Sequence, residues 1–370
     1  MRIIIDLDGT LCEFKNPTET YLDVKPKPKM KELVKKLKSE GHEIIIYTSR
    51  HMRTCNGNVE LVKQKMENIT KEWLKKEDIP YDELYFGKPY GDIIIDDMAI
   101  NARNTESIKR ELENLKINIV IPMAGKSERF FRAGYKIPKY LIDINGKIML
   151  EHSLSGLPLD LSEQIIFIAL TEHEKKYKIT EKIQSVINKN YPYLKDKTHI
   201  ILIDEVTRGQ AETVLKAKDF INDEKGLLIF NIDSAFKSSR LRQRILASRF
   251  QEIDGIIGTF NSVEPKWSFV ELDNNGYVIK TAEKEPISNL ASTGLYYFKH
   301  GSEFVKYCEK MIKENLLVKN EFYVIPIYNL LIKDGKKIII DPVEEFNCFG
   351  TPEDLEQYLL SKSNDNIKTK

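Results

Sequence analysis

The sequence predicts an α/β protein of two unequal domains, and three observations carry that prediction. Its 370 residues exceed what one ordinary hydrophobic core supports. Short β-branched runs alternate with segments of helical periodicity, and this alternation starts twice, at residue 2 and again at residue 117. Late in the second stretch it gives way to a hairpin signal, Asn274-Asn275-Gly276, between two extended runs.

Taken in order, residues 2–6 read as a strand buried on both faces. Met30, Leu33, Val34 and Leu37 follow at helical spacing, with Gly41 where a helix would stop. His42 to Tyr47 is a second strand, and Val59, Val62, Met66, Ile69 and Trp73 mark a second amphipathic helix. Glu83 to Gly87 and Asp92 to Ile95 are short strands, and a helix from about Met98 to Leu115 closes a small doubly wound unit. This first domain covers residues 1–116 and the second 117–362. In the second, strands are expected at Ile117–Ile121, Gln164–Leu170, His199–Asp204, Gly226–Asp233 and Gly255–Phe260. An antiparallel insertion follows at Trp267–Asp273, Tyr277–Glu283 and Ala291–Phe298, then two helices and Lys337–Ile340. The tail from about Ser361 is expected to fray.

Composition excludes several classes of function. Hydrophobic residues make up 41% and charged residues 31%, with a net charge of +1. That balance gives no electrostatic reason for a nucleic-acid or anionic-membrane partner. No apolar run approaches the roughly 20 residues that span a bilayer. Asp6 and Asp8 interrupt the apolar start before a signal sequence forms. Cys12, Cys55, Cys308 and Cys348 are scattered without metal-ligand spacing, as expected of reduced thiols in the cytoplasm. Oligomeric state is not readable.

The first chemical constellation is Asp6-Leu7-Asp8-Gly9-Thr10, at the carboxyl end of the first strand, where open α/β sheets bind ligands. Side chains two apart on extended chain face the same way, so both carboxylates reach one phosphoryl group. One carboxylate can attack phosphorus, and the other can serve as acid and base. Further strand ends add the hydroxyls of Thr48 and Ser49, the cation of Lys88, and Asp96 and Asp97 as oxygen ligands for magnesium. In order and context this set resembles the haloacid dehalogenase superfamily, and Tyr47-Thr48-Ser49-Arg50, Gly87-Lys88-Pro89 and Ile95-Asp96-Asp97 look like its capless branch of capsule-biosynthesis phosphatases. The resemblance implies Asp6 as nucleophile and Asp8 as acid/base. It implies Thr48 and Lys88 as phosphate ligands, and Mg2+ held by Asp6, Asp8 and Asp96 with Asp97.

The second constellation follows the strand at 117–121. Pro122-Met123-Ala124-Gly125-Lys126-Ser127-Glu128-Arg129 is a loop whose small residues turn backbone N–H groups toward phosphate, and Lys126, Arg129 and Lys139 add charge. It resembles the sugar-nucleotide pyrophosphorylase type of nucleotidyltransferase, with a GT-A-like fold. That resemblance implies that Gly125, Lys126, Ser127, Arg129 and the catalytic Lys139 hold the triphosphate. Gly209 and Gln210 would lie where base and ribose are read, Asp233 would bind magnesium, and Glu283 and Lys284 would lie near the acceptor. There is one departure: where sugar-1-phosphate members often carry a second metal-binding aspartate before a late Gly-Thr, this chain has Cys348. Either another residue supplies that ligand or one metal is held, and acceptors such as a phosphorylated polyol or small alcohol stay open.

The two resemblances together imply a bifunctional cytoplasmic enzyme of capsule or surface-polysaccharide precursor synthesis. One domain would hydrolyse a phosphomonoester, and the other would join a phosphorylated metabolite to a nucleotide from CTP or UTP, CTP being favoured. A glycosyltransferase in the second domain, or one regulatory domain, are the competing readings. The basic loop with Lys139 argues against the former and the intact charged motifs against the latter.

Overall fold

The computed structural model describes residues 1–16, 18–89, 99–100 and 105–368. The chain divides into two compact units, Met1–Glu113 and Asn114–Lys370. Among the described residues no helix is long and apolar enough to cross a membrane.

The first unit has three described strands, β1 (Arg2–Asp6), β2 (Glu43–Thr48) and β3 (Glu83–Phe86), paired in parallel in that order. Helices Pro28–Ser39 and Val59–Lys76 make the crossovers. The first buries the face that its periodicity marks, Met30, Leu33, Val34 and Leu37; the second buries Val62, Met66 and Trp73 of its expected stripe together with Thr70 and Leu74, while Val59 and Ile69 are only half-buried. Asn58 caps the second helix by accepting the Leu61 N–H. The expected strand at 92–95 lies outside the described residues. The last described helix of the unit runs Thr105–Asn114, and Ala99 and Ile100, expected within it, are irregular.

The second unit is organised around one nine-stranded mixed sheet. In chain order its strands are β4 (Ile117–Pro122), the two-residue pair β5 (Asp143–Ile144) and β6 (Lys147–Ile148) outside the sheet, then β7 (Ser162–Leu170), β8 (Thr198–Ile203) and β9 (Gly226–Phe230). Next come β10 (Ser234–Lys237), β11 (Gly255–Asn261), β12 (Ser268–Leu272), β13 (Val278–Glu283), β14 (Leu290–Phe298), β15 (Ile338–Pro342) and β16 (Glu345–Cys348). β9, β4, β7 and β8 lie side by side in parallel, and β14 joins β9 antiparallel. β12 and β13 extend the β14 side as the expected hairpin, and β11 also pairs with β14. The central strands are continuous apolar runs because both faces are covered: Ile117, Ile119, Val120 and Ile121 are wholly buried, as are Leu227 to Phe230.

Two features differ from the sequence expectation. The run Gly226–Asp233 is broken after Phe230, and β10 pairs antiparallel with β16 as a separate ribbon, Ser234 opposite Cys348. The terminal helix Pro352–Lys368 continues past Ser361. Leu355, Tyr358 and Leu359 on its first turns pack with Phe349, Phe130 and Met149, which anchors its start.

Candidate active sites

Parallel register brings the strand ends of the first unit together: Asp6 lies beside Tyr47, and Thr48 beside Phe86. Lys88, just beyond β3, thereby reaches Asp6, its Nζ 3.0 Å from Oδ1. Its backbone N–H donates to the Thr48 carbonyl at 3.2 Å. After Asp8 the chain turns at Gly9 with φ +79°, where a Cβ would stand 2.5 Å from the tip of the Phe14 ring, so the turn requires glycine. Thr48 is fully buried and its Oγ1 accepts the Arg50 N–H at 3.1 Å, while Ser49 is half-buried.

Asp8 is held by Arg50, a partner that sequence reasoning missed. Nε and Nη2 of the guanidinium donate to Asp8 Oδ1 at 3.0 and 2.8 Å, and Nε also donates to Oδ2 at 2.9 Å. Burial, and then the Asp8 charge, push the neighbouring Cys12 thiol up to about 12. Asp6 and Asp8 offer oxygen donors of the kind a hard divalent cation takes. Asp96 and Asp97, expected beside them as metal anchors, lie outside the described residues.

In the second unit a cavity of about 500 Å³ opens at the carboxyl ends of β4 and β9. Gly125, Arg129, Lys139, Gly209, Gln210, Asp233, Glu283 and Lys284 all line it. Lys126 and Ser127 do not: Lys126 is exposed, and Ser127, at φ +57°, accepts the Lys139 N–H through Oγ at 3.1 Å. Ser127 therefore shapes the loop and fixes where Lys139 starts. The Lys139 ammonium then reaches Asp233, Nζ to Oδ2 2.6 Å.

The opposite wall is built by close backbone approach. Gln210 opens the helix Gln210–Leu215 and donates through Nε2 to Asn231 Oδ1. Gly294 on β14 has φ +81°, and a Cβ there would stand 2.4 Å from Asn231 Nδ2. At the far end Glu283 faces Ser268 across the β12–β13 pair and accepts its hydroxyl at 2.5 Å. Burial pushes the Glu283 carboxyl above the usual carboxylate range, and the Ser268 bond and Lys284 only partly oppose it. Lys284, at φ +55°, donates to the Tyr323 hydroxyl at 2.7 Å.

The region of Cys348 holds a second carboxylate. The Cβ direction of Gly350 points to within 3.4 Å of Asp233 Oδ2 and 3.8 Å of Asp354 Oδ2. Lys266 pairs with Asp354 at 3.1 Å, and the Asp354 carboxylate accepts the Thr351 hydroxyl at 3.0 Å. Lys266, Tyr323 and Asp354 were not singled out by sequence, because none sits in a motif and each arrives from a different late segment. Among the described residues no three His, Cys, Asp or Glu side chains are grouped to enclose a metal. A cation at Asp233 would therefore complete its coordination with substrate oxygens and water.

Comparison with known proteins agrees with both halves. The nucleotidyl transferase family model matches residues 118–322, and the haloacid dehalogenase-like hydrolase model matches residues 3–71. The chain is 30% identical over 260 residues to the bifunctional protein GlmU of Methanocaldococcus jannaschii, covering 69% of this chain and 57% of that protein. It is 27% identical over 251 residues to GlmU of Methanococcus maripaludis, covering 65% and 53%. The chain thus spans little more than half the length of these curated relatives. The crystal structure of a nucleoside-diphosphate-sugar pyrophosphorylase from Vibrio cholerae superposes with a TM-score of 0.55 at 31% identity, covering 65% of this chain and 99% of that one. Proteins matching these two models generally use divalent metal ions. With more than half of its length matched, the chain belongs to the nucleotidyl transferase family, carrying a haloacid dehalogenase-like hydrolase segment ahead of the transferase domain.

Proposed function

We propose that the second unit transfers a nucleotidyl group from a nucleoside triphosphate to a phosphorylated sugar, polyol or small alcohol, releasing pyrophosphate. The first unit hydrolyses a phosphomonoester through an aspartyl-phosphate. The observation that carries the transferase reading is the shared cavity, with the Gly125–Arg129 loop and Lys139 at one side, Asp233 facing Lys139, and Glu283 with Lys284 beyond.

In the transfer step an acceptor phosphate oxygen bonds to the α-phosphorus while the bond to the bridging oxygen breaks, and pyrophosphate carries away that electron pair. Arg129 and Lys139 neutralise the phosphates during this exchange, and the exposed backbone at Gly125 lets them approach. Gln210 and Asn231 meet where the nucleoside would lie, and an amide edge of this kind suits a pyrimidine, which favours CTP, then UTP. Glu283 and Lys284 orient the acceptor. The name of the Vibrio cholerae relative, a pyrophosphorylase, supports the same class of chemistry.

In the hydrolase unit Asp6 attacks phosphorus, Lys88 balances charge beside it, and Asp8 protonates the leaving oxygen. Magnesium fits the carboxylate oxygens of Asp6 and of Asp233 and when bound would offset phosphate charge, whereas the Asp8 oxygens are engaged by Arg50. The fusion of the two units supports consecutive steps on one precursor of a capsule or surface polysaccharide in the cytoplasm.

The test is direct. The full chain is incubated with Mg2+, each nucleoside triphosphate and a panel of phosphorylated sugars and polyols, and phosphorus NMR follows pyrophosphate and free phosphate together. Pyrophosphate should appear with one acceptor class and depend on Asp233, whereas free phosphate should depend on Asp6. No pyrophosphate with any acceptor would refute the transferase reading.

A further inference from the structure

Among the described residues Arg50 is the most deeply buried cation of the hydrolase unit, its side chain only 1% exposed. Removing a guanidinium from water is costly, so its partners must offset the loss. The carboxylate it meets is that of Asp8, through the three hydrogen bonds described above. Its guanidinium carbon lies 4.5 Å from the Tyr21 ring centroid and 5.9 Å from that of Trp73. Trp73 is fixed in turn by its indole N–H, which donates to the Val24 carbonyl at 2.8 Å. Nη1 also reaches Thr70 Oγ1 at 3.5 Å. The guanidinium is thus held by Asp8 and Thr70 and packed beside two aromatic rings.

The contacts on Asp8 are unequal. Oδ1 accepts two guanidinium hydrogens and also faces the Cys12 thiol at 3.6 Å. Oδ2 accepts one. Each carboxyl oxygen has about two lone-pair directions; Arg50 uses both of those on Oδ1, and the one left on Oδ2 can carry the proton that the acid role requires. We propose that Arg50 is the positioning residue of the hydrolase site: it locks the Asp8 side chain and presents Oδ2 to the departing oxygen. This rests on the reading of Asp8 as acid/base. In the first half-reaction an Asp6 oxygen bonds to phosphorus, the phosphorus–oxygen bond to the alcohol breaks, and that oxygen takes its proton from Asp8 Oδ2. In the second, Oδ2 takes a proton from water as the water oxygen bonds to phosphorus and Asp6 is released. Arginine suits the task and lysine does not, because only a planar fork fixes both the position and the tilt of a carboxylate.

A purely structural ion pair and a positioning contact make different predictions. A phenolate leaves readily without a proton, whereas an alkoxide does not, so misplacing the acid harms alkyl phosphates selectively. The experiment measures kcat/KM of the full chain for p-nitrophenyl phosphate and for glycerol phosphate, in wild type, Arg50→Lys, Arg50→Gln, Tyr21→Ala and Asp8→Asn, with a melting curve for each. Arg50→Lys and Arg50→Gln should lose roughly 10²-fold with glycerol phosphate and under about tenfold with p-nitrophenyl phosphate. Tyr21→Ala, which removes one of those two rings, should show the same split at smaller size and serves if the Arg50 variants do not fold. Equal losses on both esters in folded Arg50 or Tyr21 variants, with the split kept in Asp8→Asn, would overturn the positioning role alone. Absence of the split in Asp8→Asn would overturn the acid/base reading and the positioning role with it.

Discussion

Lys139 and Asp233, 94 residues apart in sequence, meet at 2.6 Å across the floor of the transferase cavity. Each side chain is only about one-fifth exposed on the wall of the cavity, so the cost of desolvating both charges offsets most of their attraction and the net worth of the pair to the fold is about 1 kcal/mol or less. Its worth to catalysis should be far larger, because in the proposed reaction both charges would lie beside the triphosphate. Lys139→Ala and Asp233→Ala should each lower pyrophosphate release by roughly 10²–10³ in kcat while leaving the melting temperature within a few degrees of wild type. A variant that melts normally and transfers normally would remove that residue from the mechanism.

Glu283 should make stability fall as pH rises. Burial raises its folded pKa above the unfolded value, so between those two values the folded state holds the proton more firmly. Stability is then greatest below the unfolded value, declines through the window, and is flat above it. Glu283→Gln should flatten this segment of the stability–pH curve, read by denaturant titration at several pH values. An unchanged slope would show that Glu283 titrates as an ordinary surface carboxyl.

A pair of glycines separates backbone strain from steric contact. Gly294 and Gly146 both have positive φ, +81° and +85°. A Cβ on Gly294 would strike Asn231 at 2.4 Å, whereas Gly146 has nothing within 4 Å. Gly146→Ala should therefore cost about 1 kcal/mol. Gly294→Ala should cost more and, by displacing Asn231 and so Gln210, raise KM for the nucleotide several-fold. Equal effects of the two variants on nucleotide KM would argue that the Asn231–Gln210 contact does not shape the nucleoside end.

Cys348 should be chemically inert in the folded protein. Burial and the charges of Asp233 and Asp354 push its thiol up to about 12, leaving almost no thiolate at neutral pH. Iodoacetamide should label it only after unfolding, as peptide mass mapping would show. Fast labelling of the native chain at pH 7.5 would contradict this environment.

Much of this was legible in the sequence, for a physical reason. The central strands are written as unbroken apolar runs because both their faces are covered, and the first two crossover helices show their buried stripes directly. Asp6 and Asp8, and the loop at Gly125, are local patterns that need no knowledge of distant chain. What sequence did not disclose is pairing at long range. Ser234–Lys237 and Glu345–Cys348 are short and of mixed polarity, so neither reads as a strand until each is given its partner. Lys266, Tyr323 and Asp354 enter the cavity from segments that carry no motif. Arg50 stood in a recognised segment, yet nothing in its spacing named Asp8 as the carboxylate it would meet.

The ribbon of β10 and β16 carries a consequence for how the protein is made. Lys237 and its partner Glu345 are 108 residues apart, and the Asp233 carbonyl accepts the Phe349 N–H at 2.7 Å. A ribosome delivering roughly 5–20 residues per second exposes the Asp233 strand end seconds before the segment that seats it. The loop at Gly125 and Lys139 has by then already emerged, so the nascent chain carries an unfinished nucleotide pocket whose last wall arrives with Cys348 to Asp354. Transferase competence should consequently be switched on late and in one step during synthesis, whereas the hydrolase unit, complete within the first third of the chain, is free to fold long before.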